Sequence, residues 1–438
     1  MGGIVLDLGD IQGIVVRGYR LGCARFMFVK LHSPERGQQW IRQILGEITG
    51  ADDWTETPTS CLNIVFSYAG LEALGVAPES LATFPIEFQE DLATRAALVG
   101  NTGPSAPEHW EGGLGTGDVH ALLIVYAQTP DAVDAEANRQ RAILAQIGGI
   151  EEISSQDAAA LAGNKEHFGY RDGITKIVIE GSGQQPAQGQ PMIKAGEFIL
   201  GHPDQRGETA PVPQPPALGR NGSYLVYQRL YQDVAAFRRF LAETAEEVER
   251  DEEWVAAKLM GRWRSGAPIV LAPDADAPEL VDDQERNDNF NFKAMDARGF
   301  FCPRGAHIRR VHPRDELAET EQNRHLVQRR GLPYGPVLPD GAPDDGVDRG
   351  VVGVMVNASI RRQFEFMQQV WINNRKFNDL GNERDPIAGN NDGTTDMKFP
   401  RRPIPKVLRG IPRFVTVKGG GYFFAPSISA LGFLSEDH

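Results

Sequence analysis

From Gly181 to about Gly219 the chain runs rich in proline, glycine and glutamine, including Pro211-Val212-Pro213-Gln214-Pro215-Pro216, and on either side of this stretch the same order of apolar segments recurs. Such composition buries little apolar surface and typically links or wraps domains. Before it, residues 25–32 alternate as a strand and Ser33-Pro34 set a helix start. Trp40, Ile41, Ile44 and Ile48 then recur at helical spacing. Strands are expected at Leu62–Tyr68 and at the almost wholly apolar Val119–Ala127. A helix opens at Thr129-Pro130 and ends at Gly148, and Ile174–Ile179 is expected to close the set. After it, a strand at Tyr224–Tyr231 leads into a helix capped by Asp233. A strand at Val351–Ile360, a helix carrying Phe364, Met367 and Trp371, and a strand at Phe414–Phe424 broken by Gly419-Gly420-Gly421 follow. The pattern predicts an α+β protein of two similar domains, each an antiparallel sheet with helices packed on one face, over residues 1–180 and 220–438 with 181–219 between them.

Bulk properties narrow the function classes. With 438 residues, two domains are the starting expectation. A net charge of −14 argues against nucleic-acid binding and gives no support to docking on an anionic membrane. Cys23, Cys61 and Cys302 are odd in number and far apart, with no CxxC or CxxCH, so structural zinc, a dithiol redox site and thioether-linked haem are all disfavoured. The start Met1-Gly2-Gly3-Ile4-Val5-Leu6-Asp7 shows no basic or apolar leader, and no apolar run approaches the roughly 18 residues that cross a bilayer. The last residues, Gly432 to His438, show no targeting tail. A cytoplasmic protein is expected, monomeric or homo-oligomeric.

Two segments carry most of the chemistry. The first is His167-Phe168-Gly169-Tyr170-Arg171-Asp172-Gly173, an acid between glycines. Taken alone, an Asp before Gly is a turn residue whose side chain caps local donors. The second is Phe301-Cys302-Pro303-Arg304-Gly305-Ala306-His307-Ile308-Arg309-Arg310. A histidine between Ala306 and Ile308 reads equally well as a satisfied core residue. Its small neighbours nevertheless leave room for a flat macrocycle, and Arg309 and Arg310 have the forked geometry that pairs with carboxylates. A neutral imidazole is the commonest axial ligand of haem peroxidases, and a carboxylate behind it makes it a stronger ligand. Arg329, in Gln328-Arg329-Arg330-Gly331-Leu332-Pro333-Tyr334-Gly335, offers a cation; its plain alternative is a solvated basic pair before a turn.

Together these segments resemble the dye-decolourising peroxidases, haem-b enzymes with two ferredoxin-like domains. The resemblance spans nearly the whole chain, from Asp10-Ile11-Gln12-Gly13 through the acid-bearing loop and Ala195-Gly196-Glu197-Phe198-Ile199-Leu200-Gly201 to the histidine and arginine segments. It continues over Gln363 to Trp371 and Lys418 to Pro426, and its length points to the larger, multi-insert branch. The resemblance implies one non-covalent haem b in the C-terminal domain. It makes His307 the axial iron ligand, Asp172 the distal acid–base residue and Arg329 the distal cation. Gly173 then lies beside the cofactor, Arg309 pairs with a haem propionate, and Asp396 stands behind His307. It also implies that hydrogen peroxide is reduced while dyes, phenols or other one-electron donors are oxidised. Tyr334 and Trp371 match positions that serve some members as surface electron relays.

An aspartate, with a reference pKa near about 3.9 against about 6.5 for histidine, suits proton transfer in acid. An acidic optimum is expected. One departure from the family pattern stands out: where many members read Gly-Leu-x-Phe, this chain reads Gly350-Val351-Val352-Gly353, so Gly353 replaces a distal aromatic and a roomier, wetter pocket is expected. The alternatives are a haem carrier and a haem-processing protein of the chlorite-decomposing or iron-removing kind. Both leave Asp172 without a task.

Overall fold

The computed structural model describes residues 4–188 and 190–436. Met1 to Gly3 and the final Asp437 and His438, considered above for targeting, lie outside them. In the first half, strands β1 (Cys23–Leu31), β2 (Ser60–Phe66), β3 (Ala121–Ala127) and β4 (Ile150–Ala159) alternate with helices α1 (Pro34–Ile44) and α2 (Pro130–Ile147). Local chemistry sets the helix starts: the Ser33 hydroxyl accepts the Arg36 N–H at 3.3 Å and the Thr129 hydroxyl accepts that of Ala132 at 3.2 Å, each with proline at the first helical position. In the second half, β5 (Ser223–Gln232) leads through Asp233, which caps the Ala236 N–H at 2.8 Å, into α3 (Val234–Val248). The short strands β6 (Gln328–Arg329) and β7 (Leu332–Tyr334), then β8 (Gly350–Asn357) and β9 (Val415–Ala425), complete it.

The strand order is β4-β1-β3-β2 in the first half and β9-β5-β8-β6 in the second, with β7 also on β8. Every pairing among these strands is antiparallel. Both halves therefore repeat the fourth-first-third-second order of a ferredoxin-like sheet, as the sequence implies. They do not stand apart, however: β2 pairs with β9 at Phe66 and Phe424, giving one sheet of nine strands.

Three expectations change. The first half closes with β4, not with Ile174–Ile179, of which only Val178–Ile179 pairs, in parallel with Met192–Ile193. β4 is an edge strand of sequence IEEISSQDAA, so the apolar alternation that signals a half-buried strand is weak. The segment holding Phe364 to Trp371 winds as two π-helical stretches, Arg361–Glu365 and Met367–Ile372. Finally, part of the proline- and glycine-rich stretch is core: Ile193, Ala195, Phe198, Ile199 and Leu200 are all buried. No described helix is long and apolar enough to cross a membrane.

Candidate active site

The Asp172 loop is held by the residues around it. The Glu166 carboxylate accepts the N–H groups of Phe168 and Tyr170, both at 2.9 Å, and burial raises its carboxyl despite these bonds and a donation from Gln232. The Phe168 ring packs against Phe237 of α3 with centroids 4.4 Å apart, and the Tyr170 hydroxyl donates to the Ala256 carbonyl at 2.8 Å. With its aromatics anchored on the core, the loop presents Asp172 outward. Its carboxylate accepts the Gly173 N–H at 2.7 Å, and Gly173 sits at φ 76° with open space beyond its α-carbon. Glycine is needed there for the turn. The Gly173 N–H, being spent on Asp172, orients the acid.

Arg329 and Arg330 divide their tasks. Arg330 is tied to the Ile14 and Val16 carbonyls at 3.0 and 2.9 Å. Arg329, opposite Met355 on β8, reaches Asp172 Oδ1 at 3.3 Å, and both side chains are more than half exposed. Arg329 lowers the Asp172 carboxyl, enclosure works the other way, and the Gly173 N–H and the His307 imidazole add to the lowering. The acid thus lies within electrostatic reach of His307.

His307 opens the short helix α4 (His307–Val311). Its Nδ1 lies 2.8 Å from Oδ2 of Asp385, which is completely buried. Oδ1 of Asp385 accepts the Ile387 and Ala388 N–H groups, both at 2.9 Å. Burial raises the Asp385 carboxyl, but His307 and a backbone donor outweigh it, and the net shift is downward. An ionised carboxylate only accepts, so Nδ1 donates and Nε2 keeps its lone pair. Among the described residues Nε2 has no hydrogen-bond partner.

Asp385, not Asp396, therefore stands behind the histidine. Asp396 instead faces Asn382 at 3.4 Å and Arg409 at 4.0 Å, on the hairpin strand Thr395–Phe399. Asp392 accepts the Thr394 N–H at 3.0 Å in its own turn. The signal that points to Asp385 is Asp385-Pro386-Ile387-Ala388, an aspartate whose side chain caps the donors that follow it.

Arg309 is also not where the resemblance puts it. Its guanidinium is fully buried, donating to the Cys302 and Asp296 carbonyls at 2.8 and 3.0 Å, pairing with Glu316 and lying 4.8 Å over the Phe292 ring. No arm is left for a propionate. Arg310 turns the other way and donates to the Trp371 carbonyl at 2.6 Å and that of Asn374 at 2.9 Å, closing the end of the π-helical segment. The two arginines thus fasten α4 on opposite sides. A β-carbon at Gly305 would come 2.5 Å from Glu383 Oε2, so that carboxylate would have to shift to admit one. Tyr334 and Trp371 are 4% and 1% exposed, so neither is a surface residue.

An imidazole oriented by a buried carboxylate, with a free lone pair and an aspartate–arginine pair within electrostatic reach, is a donor set that suits haem iron. No family model matches the chain. Among solved structures, an ancestral D-type dye-decolorizing peroxidase superposes with TM-score 0.87 at 29% identity over 99% of this chain and all of that one. A dye-decolorizing peroxidase in complex with 2,6-dimethoxyphenol gives 0.87 at 26% identity over 99% of this chain and 100% of that one. These neighbours define the class as haem peroxidases. Peroxidase 2 of Mycetinis scorodonius is 32% identical over 97% of this chain and 87% of its own length. A dye-decolorizing peroxidase of Mycena epipterygia is 31% identical over 97% and 86%. The chain belongs to the dye-decolourising peroxidases.

Proposed function

We propose that this protein reduces hydrogen peroxide at a haem b held by His307 without covalent links, one per chain, and oxidises dyes and phenols in turn. The observation that carries this assignment is the Asp172–Arg329 pair at 3.3 Å, within electrostatic reach of a histidine whose other nitrogen is fixed by Asp385. When bound, the haem supplies the redox centre that accepts and returns electrons. The chain supplies the rest. The Asp172 carboxylate takes a proton from the near oxygen of peroxide and returns it to the far one, which leaves as water. The Arg329 guanidinium stabilises the charge that grows on that leaving oxygen. Asp385 keeps Nδ1 protonated and presents Nε2 as ligand. A haem carrier or haem-processing protein has no use for this acid and cation. An absorption spectrum of the haem-loaded protein before and after one equivalent of peroxide tests the assignment; a Soret band that does not respond overturns it.

Because Arg329 lowers the Asp172 carboxyl, the base form persists below the ordinary carboxylate range, and activity extends into acid. Arg329→Leu is expected to raise that pKa, so the acid limb of kcat/KM for peroxide moves to higher pH and the rate falls by about a hundredfold. A pH–rate profile checks the sign: an acid limb that stays in place or moves lower contradicts it.

Gly353 shares its face of β8 with Met355, the cross-strand neighbour of Arg329. A β-carbon at Gly353 would make ordinary contacts, with Met355 Cε at 3.5 Å and Leu230 Cδ1 at 3.6 Å. An aromatic side chain can therefore be introduced without backbone conflict at its root. Gly353→Phe is expected to narrow the pocket and raise KM for small aromatic donors on the order of tenfold. Unchanged peroxide and donor kinetics would argue against a roomy pocket.

We also place the protein in the cytoplasm, a reading supported by Cys23, Cys61 and Cys302 all being free thiols. Cell fractionation tests it.

A further inference from the structure

Asp172 and His307 stand on separate stretches of chain, one a loop and the other a helix of five residues, so neither stretch sets the gap between them. A reacting molecule held in such a gap must be placed closely, because small misplacements of a catalytic group are costly. One buried carboxylate joins the two sides. Oδ1 of Asp288 accepts the hydroxyl of Thr175, in the run Asp172-Gly173-Ile174-Thr175, at 3.0 Å. The same oxygen accepts the guanidinium of Arg314, just beyond the helix of His307, and that of Arg262 at 2.9 Å. Asp288 and both arginines are almost completely buried.

The turn that Arg262 opens touches the same two places. The Arg264 carbonyl accepts the Arg171 N–H at 3.2 Å, and a β-carbon on Gly266 would come 2.5 Å from Ile174 Cδ1. At its other end a β-carbon on Gly261 would come 2.4 Å from Ile308 Cγ1. Arg262 braces the turn from within, donating to the Gly266 and Asn287 carbonyls at 3.0 and 2.8 Å. Arg314 is held just as firmly. Its backbone sits at φ 55°, a left-handed conformation that disfavours its side chain. Its guanidinium donates to the Asp288 and Phe290 carbonyls at 2.7 and 3.2 Å and lies 3.9 Å over the Phe290 ring.

We propose that Asp288 is a positioning residue for the distal acid, tying the Asp172 loop to the end of the His307 helix and so fixing the distance between them. This rests on the peroxidase reading above. Asp288 acts through Thr175 and Arg314 and moves no proton itself. The two arms differ in what they cost to cut. Losing the Thr175 hydroxyl leaves Asp288 paired with both arginines, and losing Arg314 leaves it paired with Arg262.

The test uses the haem-loaded protein. Thr175→Val keeps the shape of the side chain and removes the distal arm alone. It is expected to leave the resting Soret band unchanged and to slow the stopped-flow reaction with hydrogen peroxide about tenfold, with Thr175→Ser restoring the rate. Arg314→Met cuts the other arm, and its expected mark lies on the far side of Asp288: faster amide hydrogen exchange over residues 169–176, a readout independent of activity. In the Thr175→Val background Arg314→Met is expected to cost no further peroxide rate, since the joint is already open. A wild-type peroxide rate in Thr175→Val overturns the proposal. So does unchanged exchange over 169–176 in Arg314→Met, or a double variant whose two losses multiply. Should Arg314→Met fail to fold, Thr175→Val against Thr175→Ser decides alone. A wild-type Soret band indifferent to peroxide defeats the peroxidase reading, a separate failure, because the exchange experiment still reports on the joint.

Discussion

Asp172→Asn is expected to bind haem with an unchanged Soret band and to react with peroxide about 10²- to 10⁴-fold more slowly, the usual contribution of a positioned acid–base group. The substitution keeps the shape of the side chain. An amide oxygen can still accept the Gly173 N–H that the carboxylate accepts at 2.7 Å, so the turn survives. What disappears is the capacity to take a proton. Arg329 then loses its ion-pair partner, yet both groups are more than half exposed, so the fold loses little. Stopped-flow mixing with peroxide reads the effect directly. A variant that retains the wild-type rate would transfer the proton role to water or to another residue.

Asp385→Asn is expected to weaken haem retention or peroxide activity by about 10- to 100-fold, the range found when the hydrogen-bond partner of a metal-bound histidine is changed. Here the argument runs through the tautomer. The carboxylate accepts only, so it forces the proton onto Nδ1 of His307. An asparagine can present its NH₂ group instead, which favours the proton on Nε2 and removes the lone pair the metal needs. The backbone donors of Ile387 and Ala388 still find an oxygen in asparagine, so folding is largely preserved. Haem titration of the variant, read beside Asp396→Asn as a control, tests the assignment: Asp396 does not touch His307, and its replacement should leave affinity unchanged. Equal losses in both variants would refute it.

The architecture was readable because capping and apolar periodicity are local. Ser33, Thr129 and Asp233 each start the expected helix, and the wholly buried β3 reads as an uninterrupted apolar run. Strands at the margins were not readable, for a physical reason. β4 is polar because much of it meets water, and β6 and β7 are too short for any period to show. In the site, Asp172 and Arg329 pair at 3.3 Å, and each of them, like His307, lies in a distinctive local run. The assignments that failed depend on long-range geometry. Asp385 is 78 residues from His307, and although Asp385-Pro386-Ile387-Ala388 marks a capping aspartate, nothing local ties that carboxylate to the histidine. Arg309 and Arg310 are adjacent and chemically identical, and only the surrounding carbonyls decide that both serve the fold. Buried Tyr334 and Trp371 likewise owe their burial to strands and loops packed from elsewhere.

The seam between β2 and β9 makes the two-part sequence indivisible in practice. Cutting the chain between Gly181 and Gly219 would seem to release two tidy ferredoxin-like pieces. Each piece would instead carry a freshly bared edge, and both edges are strands whose side chains are mostly buried in the intact sheet. Bare apolar edges recruit whatever strand they meet, including another copy of themselves. What resembles a perforation in the sequence therefore crosses an interior weld, and the fragments would stick before they could serve as enzymes.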